Sequence, residues 1–541
     1  MTDGSRSSLR ASTPAWVRVA MPSVADLIFV ALFGALLFTP LSVRLLGDAG
    51  IGWHIRTGQQ ILATHTIPRV DPFSTTMGGR SWYAWEWLYD LLVGQLEATL
   101  GLNGVVWFTA TVIAAVFAWT FHLLILRRTN LLVALVLVLL AISASAIHFL
   151  ARPHVVSWLF ALAWFWILHS SEQFDPQDEK ATRWLWTLPL LMLVWANAHG
   201  GFLLGFVLLG IFWAAAVWDW FRTKEARIEE SLAKIAAGKQ VRTLTRVGLL
   251  SAAASLVNPY GWKLHLHVYS YLSDRFLMDH IEEFHSPDFH GLAQKCFLIL
   301  LLIAMAALAV RGRKLRPSEM LTVLFAVCAG LYASRNIPVS SLLLVMVVGP
   351  LLTELGSGEG FFQRMSALES QLRGHVWPIL VVMLTFWIAG AGGRLASALG
   401  MDAHFDATRM PVEAVSYLQQ HEIKGPVLSP DYWGGYLIYR LYPAVKVVVD
   451  DRHDLYGEEF FKPYLKMWRG EPEWQEFLRE HPAGCVLLPK RAALTSFLME
   501  NSEWKPIYTD DVAVAFVRTF EQPDRGREDQ KIDRNREPAH K

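Results

Sequence analysis

GDAGIGWHIRTGQQILATHTIPRVDPFSTTMGGRSWYAWEWLYD, residues 47 to 90, is the stretch on which the reading of this chain turns. It follows the first long apolar run directly. Yet it carries Asp48, His54, Arg56, Asp71, Arg80, Glu86 and Asp90 among Trp53, Trp82, Trp85 and Trp87. A loop so dense in acids and aromatics, anchored to an apolar span, has the composition of a site rather than of a connector. Within it Ile51, His54, Ile55, Gly58, Ile61 and Leu62 keep a helical period with Asp48 at the cap, which predicts a short amphipathic helix lying in the membrane interface. Pro68, Pro72, Gly78 and Gly79 make Ile67 to Arg80 a turn-rich excursion, and Glu86 opens a second helix reaching about Leu100.

Working outward, 53% of residues are hydrophobic and only 18% charged, and mean hydropathy is +0.30. The apolar residues fall in long blocks, which makes the chain a multi-pass membrane protein. A formal net charge of +1 gives no footprint for nucleic acid, whose phosphates demand a basic surface. Cys296, Cys328 and Cys485 are too scattered for a disulfide framework or a metal-ligand spacing.

Arg6, Arg10 and Arg18 precede the apolar run Ala25 to Leu46. That run is too long for the core of a cleaved signal and reads as an uncleaved span with residues 1–20 in the cytoplasm. Further runs are Val105–Leu126, Leu131–Phe149, Val155–Leu168, Trp184–Ala196, Phe202–Phe221, Val247–Val257, Phe297–Val310, Met320–Ala333, Val339–Leu355 and Val376–Ala389. With the first they predict about eleven transmembrane helices. The basic clusters at 127–128, 222–246 and 311–316 fall on the cytoplasmic side of this alternation, while the acid-rich loop 170–183 does not help.

On the opposite side the alternation places five polar clusters: 47–54 (GDAGIGWH), 151–154 (ARPH), 197–201 (NAHGG), 258–290 (NPYGW through SPDFH) and 334–336 (SRN). Ionisable groups at span ends are costly, roughly 2.5–3.5 kcal/mol for a central Arg or Asp, unless they line a cavity. Their common side predicts one shared cleft. After Gly400 the apolar blocks stop. PVEAVSYLQQH and WGGYLIYRL read as helices, and PVLSP, VKVVVDDR, GCVLLP and VAVAFV as strands, which predicts a small α/β or α+β domain outside the membrane. The domain plan is a cytoplasmic segment 1–20, a transmembrane domain 21–399 with outer loops 47–102 and 258–295, an extracytoplasmic domain 400–521, and a charged, disordered tail 522–541.

Asp-x5-His in the first outer loop, IPRVDPFS, WEWL, ARPHVVSWLF, WANAHGGFLLG, NPYGW, SPDFH, SRNIP and GGYLIYRLYPAVKVVVDDRHDLY together resemble a group of bacterial polytopic membrane proteins. These are similar to the GT-C superfamily of glycosyltransferases. The resemblance covers most of residues 25 to 460. It implies a helical GT-C-like fold in the bacterial inner membrane, a polyprenyl-phosphate-linked sugar donor, a glycan, lipid or protein acceptor, and a first-loop acid, matched here by Asp48. The first loop lacks an adjacent Asp-Asp or Asp-Glu pair, so a divalent cation (Mg or Mn) stays an open expectation.

Moving a sugar from a lipid phosphate to an acceptor needs a base for the acceptor proton and cations for the leaving phosphate. Asp48 and Glu86 are the candidate catalytic acids, and His54 is a candidate substrate contact, as are Glu282, Glu283 and Asp288. Arg152, His154, His199 and Arg335 are the candidate phosphate clamp, since a guanidinium fork suits phosphate oxygens. Trp53, Trp82 or Trp85 would offer a stacking face. Each residue has a plainer reading. Asp48 would cap a helix, His54 would pack in a core, Glu86 would favour a helix N-terminus, and the Trp residues would form an interface belt. Arg152 would snorkel, His199 would mark close packing beside Gly200 and Gly201, and Arg335 would end a helix. Asp450, Asp451, Arg452 and Asp454 read either as a cation site or as a strand end turning into a loop. A lipid or polysaccharide transporter or flippase, or a non-catalytic envelope assembly protein, would also be polytopic; whether the five clusters meet separates them from a transferase.

Overall fold

The computed structural model describes residues 15–173, 182–223, 228–353, 361–372, 375–395 and 399–519. Residues 1–14 of the expected N-terminal segment, most of the 170–183 loop and the whole 522–541 tail lie outside these. The chain forms two compact units. One holds Met1–Arg69 and Ser81–Phe405, and the other Val70–Arg80 and Asp406–Lys541.

The first unit is helical, and every apolar run of the sequence falls on a helix. Among the described residues seven helices are long and apolar enough to cross a membrane: Arg18–Phe38, Leu102–Leu126, Leu131–His148, His154–Glu172, Gly200–Arg222, Leu292–Lys314 and Ser334–Thr353. Trp184–Ala198, Pro317–Tyr332 and Val376–Gly390 are shorter apolar helices. The run at Val247–Val257 ends the 28-residue helix Ile228–Ser255, whose earlier turns carry Lys234, Lys239 and Arg242. The first span opens on a capping box. Ser23 Oγ accepts from the Asp26 N–H at 3.1 Å while the Asp26 carboxylate accepts from the Ser23 N–H at 2.8 Å. It does not run through to Leu46 as the sequence suggested. Pro40 disfavours helix at the residue before it, Thr39 is extended (φ −122°, ψ 173°), and a separate short helix, Leu41–Leu45, follows.

The helices Ile51–Thr64 and Trp87–Leu100 frame the 47–90 stretch. The first is not an interfacial helix. Ile51, Trp53, His54, Ile55, Thr57, Gly58 and Ile61 are all buried, so its wide apolar face is packed inside the unit. The crossing is set by two glycines. A Cβ on Gly58 would stand 1.8 Å from the Asp90 carbonyl oxygen, and one on Gly94 would stand 2.7 Å from Gly58 C. Only hydrogen at both positions lets the backbones approach this closely, and that approach brings His54 to Asp90. Elsewhere in the unit Arg127, just past Leu102–Leu126, pairs with Glu319 of Pro317–Tyr332 at 2.6 Å and donates to the Met346 carbonyl.

The second unit has a four-stranded sheet in the order Val427–Leu428, Cys485–Pro489, Ala513–Arg518, Trp504–Thr509; the first pair is parallel and the others antiparallel. The expected helices appear as Val412–Gln420 and Asp431–Leu441, and PVLSP, GCVLLP and VAVAFV supply strands. VKVVVDDR is not a strand. Val447 makes isolated bridges to Val427 on one side and Ser74 on the other, and the chain turns at Asp450 to Arg452. Helices His453–Arg469, Trp474–Glu480 and Ala493–Glu500 complete the unit.

Candidate active site

Hydrogen bonds and ion pairs join all five polar clusters of the helical unit. Asp48 of the first pairs with Arg152 of the second, Nη1 to Oδ2 at 2.7 Å. The other Asp48 oxygen accepts from the Gly50 N–H at 2.8 Å, so the same carboxylate caps the turn into Ile51–Thr64 and holds the arginine. His154 donates from Nε2 to the His148 carbonyl at 2.9 Å, and His148 donates from Nε2 to the Ser334 carbonyl at 3.0 Å. A carbonyl can only accept, which fixes the proton on Nε2 in both rings. The Ser334 N–H in turn donates to the His285 carbonyl at 2.9 Å. Asn197 is held by residues just outside the other clusters, and the 197–201 cluster meets 47–54 through Glu86, which lies between His199 and His54. Asn197 donates to the Val257 carbonyl at 2.9 Å and accepts from Trp87 Nε1 at 2.8 Å.

Of the three acids expected from the 258–290 loop, only Glu283 faces the arginines. Burial alone would raise its carboxyl, but Arg152 and Arg335 outweigh burial and bring it down to about 2. Glu282 and Asp288 are exposed, and Asp288 accepts from the His290 N–H at 3.0 Å in a local turn. Arg335 also lies over the Phe284 ring, 4.4 Å from its centroid. Two guanidinium groups and two carboxylates thus share one polar region at the ends of the helices.

Glu86 lies between two imidazoles. His54 Nε2 is 3.8 Å from one of its oxygens and His199 Nε2 is 3.6 Å from the other. Behind His54, Asp90 Oδ1 stands 2.6 Å from Nδ1. Asp90 was not singled out in the sequence, although its place four residues after Glu86 puts both acids on one helix face, a spacing that could have found it. His199 Nδ1 accepts from the Gly201 N–H at 3.0 Å and meets Ser157 Oγ at 2.7 Å, with Trp195 Nε1 donating to that hydroxyl. Ser157 and Trp195 carried no sequence signal beyond their apolar surroundings.

Trp53 stacks on His54 at 3.6 Å and meets Trp82 edge-on at 6.1 Å; both indoles are core residues rather than an open stacking face. Trp85 is half-buried beside His267 and Tyr271. A groove of about 460 Å³ is lined by Trp87, Leu88, Leu193, Val194, Asn197 and Val257 among others, so it is mostly apolar and begins one residue from Glu86 and two from His199.

In the second unit Asp450 does not form a cation site. Arg452 donates to it from Nε at 2.8 Å and from Nη2 at 2.7 Å, and Tyr456 donates at 2.9 Å. The same Nη2 reaches Asp71 at 2.7 Å. Among the described residues no group of three or more His, Cys, Asp or Glu is arranged to hold a metal ion.

No family model and no curated protein matches the sequence. Solved structures do. The archaeal oligosaccharyltransferase AglB from Archaeoglobus fulgidus, solved with an inhibitory peptide and a dolichol-phosphate, is similar over 86% of this chain and 69% of its own, with TM-score 0.52 at 11% identity. The oligosaccharyltransferase of the same organism tethered to an NVT-sequon acceptor peptide gives TM-score 0.54 at 11% identity, over 86% and 68%. ArnT from Cupriavidus metallidurans in the apo state gives 0.50 at 12% identity, over 91% and 97%. At such identities the likeness is one of fold. The chain is a multi-pass membrane protein that shares its helical fold with these structures and carries a small C-terminal sheet domain.

Proposed function

We propose that the chain is a membrane glycosyltransferase that moves a sugar from a polyprenyl-phosphate-linked donor to a glycan, lipid or protein acceptor on the extracytoplasmic face of the bacterial inner membrane. The observation that carries this reading is the Asp48–Arg152 pair, 2.7 Å apart, drawn together with Glu283 and Arg335 from four distant parts of the sequence. Arginines at a helix-end site suit the phosphate that departs with the lipid, and acids beside them suit the acceptor. The fold likeness to an oligosaccharyltransferase solved with a dolichol-phosphate supports the same class of donor. The apolar groove beside Glu86 and Asn197 suits part of a polyprenyl tail. The basic clusters at 127–128, 222–246 and 311–316 support a cytoplasmic N-terminus and an outer 400–521 region.

The acceptor oxygen forms its bond to the anomeric carbon as the bond from that carbon to the phosphate oxygen breaks, and the acceptor's proton passes to a neighbouring carboxylate. The electron pair leaves on polyprenyl phosphate, where Arg152 and Arg335 balance the charge. The test uses purified full-length protein in lipid nanodiscs with polyprenyl-linked sugars, and reads product by mass spectrometry. Asp48→Asn and Arg152→Ala are expected to abolish transfer with folding and insertion intact. Wild-type turnover in both variants would sink the assignment.

A further inference from the structure

Asn197, near the end of Trp184–Ala198, donates to the Val257 carbonyl at 2.9 Å, just beyond the end of Ile228–Ser255. The bond lies at the polar clusters and gives both helices a common level from which to be measured. At about 1.5 Å per residue, Arg183 and Trp184 stand roughly 20 Å from it along one helix, and Arg246 and Arg242 roughly 16 and 22 Å along the other. The turn Trp184–Thr187 packs against Ile228–Ser255, so these cations form one belt. Arg183, Arg242 and Arg246 are all exposed, as are Trp184 and Trp186. Between the belt and the Asn197 bond the two helices expose Leu190, Val194, Leu249, Leu250 and Leu256. The apolar surface they offer to lipid is therefore only roughly 20 Å long, against a hydrocarbon core of about 30 Å.

Other flanks of the unit differ. Leu292–Arg311 exposes Leu298, Ile299, Leu302, Met305 and Val310, and reaches its first arginine, Arg311, roughly 28 Å from Leu292. Gly200–Arg222 lies beside Ile228–Ser255, with Trp213 Nε1 donating to Thr245 at 3.0 Å, and runs on past the belt. What it exposes there is Trp218, Asp219, Trp220, Phe221 and Arg222, residues that suit a headgroup layer. Side-chain reach does not close the gap. Arg242 already bends toward the polar end of its helix, with Nη1 3.9 Å from where a Cβ on Gly238 would stand, and an extended Arg246 side chain would still stop short of the ordinary boundary.

A guanidinium left in hydrocarbon costs more than drawing a bilayer in by a few ångström, and a phosphate gives it a matching partner. We propose that the bilayer is thinned along this flank, with the phosphates of acidic phospholipids in the leaflet remote from the polar clusters docked on Arg183, Arg242 and Arg246. The groove lined in part by Leu193, Val194, Asn197 and Val257 belongs to the same two helices. Head groups of the two leaflets therefore stand nearer each other beside it than along Leu292–Arg311. Spanning a membrane is all that this requires, and sugar transfer plays no part in it.

The experiment uses the full chain in nanodiscs of phosphatidylcholine with phosphatidylglycerol. Cryo-electron microscopy is expected to show the headgroup layer drawn in to the level of Arg183 and Arg242 on this flank and at its ordinary height beside Arg311, with phosphate density on the guanidinium groups. By native mass spectrometry, Arg242→Leu combined with Arg246→Leu is expected to hold phosphatidylglycerol roughly tenfold more weakly than the wild type. The same two changes lengthen the apolar face, so the acyl-chain length that gives the highest Tm is expected to shift upward. A level headgroup layer around the whole unit, or one preferred chain length for both proteins, overturns the thinning. Equal retention of phosphatidylglycerol by both overturns the docking of acidic lipid. Should the double variant fail to fold, the headgroup layer and phosphate density of the wild type decide alone.

Discussion

Each unit buries a group of charges, and the two groups are built in opposite ways. Around Arg452 the hydrogen bonds are short: 2.8 and 2.7 Å to Asp450, 2.7 Å to Asp71, with Ser74 Oγ donating to Asp71 at 2.5 Å and Tyr456 to Asp450 at 2.9 Å. Around Glu86 the imidazoles stand off at 3.6 and 3.8 Å. A guanidinium engaged by two carboxylates at hydrogen-bond distance is fixed in place, and breaking it exposes unpaired charge in a low-dielectric interior. A carboxylate set between two imidazoles stands among groups that can exchange a proton with it. The contrast separates a group that maintains a fold from one placed for chemistry.

That separation can be broken experimentally. Arg452→Met leaves Asp71 and Asp450 buried without their cation and is expected to cost about 3–5 kcal/mol, read as early melting and proteolysis of the 406–519 region; Glu86→Gln should move neither. A smaller loss is expected from Gly58→Ala. Its Cβ would meet the Asp90 carbonyl at 1.8 Å, and forcing the two helices apart is expected to destabilise by at least about 1–3 kcal/mol, seen as a lower Tm together with reduced turnover.

Acid gives a third measurement. Burial opposes ionisation of Asp71, but Arg452 and the Ser74 and Phe73 hydrogen bonds prevail, so its carboxyl lies below the ordinary aspartate value of 3.8. The ionised form therefore stabilises the folded unit fully above that value, and the contribution fades as pH drops below it through the folded value. Melting of the 406–519 region followed from pH 6 downward should fall off below pH 4, and Asp71→Asn should flatten the curve. The smallest effects are expected at the two exposed acids. Glu282→Gln and Asp288→Asn should leave turnover unchanged and stability within about 0.5 kcal/mol, and a large loss in either would enlarge the site beyond Glu283.

Much of the helical unit was legible because apolar blocks of span length have few alternatives in a chain this hydrophobic. The meeting of the five clusters was legible for a related reason, since polar residues at span ends on one side have a common place to go. What escaped was set by distance along the chain. Nothing local in VKVVVDDR says that Val447 will bridge Ser74, and nothing in DPFSTTMGGR says that it belongs with residues more than three hundred positions later. The helix Ile51–Thr64 was placed at its right length but given the wrong surroundings. Amphipathic period reports that a face is buried without reporting what covers it, and here the cover is a second helix seated on glycines. Asp90 was visible in the quoted stretch, yet its meaning depends on the imidazole that the crossing brings to it.

The threading of the chain between units has a consequence for biosynthesis. The polypeptide passes from one unit to the other at Arg69–Val70, returns at Arg80–Ser81 and crosses again at Phe405–Asp406. Phe73, fully enclosed in the finished protein with Tyr442 at 5.0 Å and Arg452 at 5.1 Å, emerges from the ribosome several hundred residues before either neighbour exists. At about 5–20 residues per second that ring must wait tens of seconds for its partners. The second unit is begun early and completed last, and any nascent chain released after the membrane spans alone would leave an aromatic ring and an aspartate with nothing to receive them.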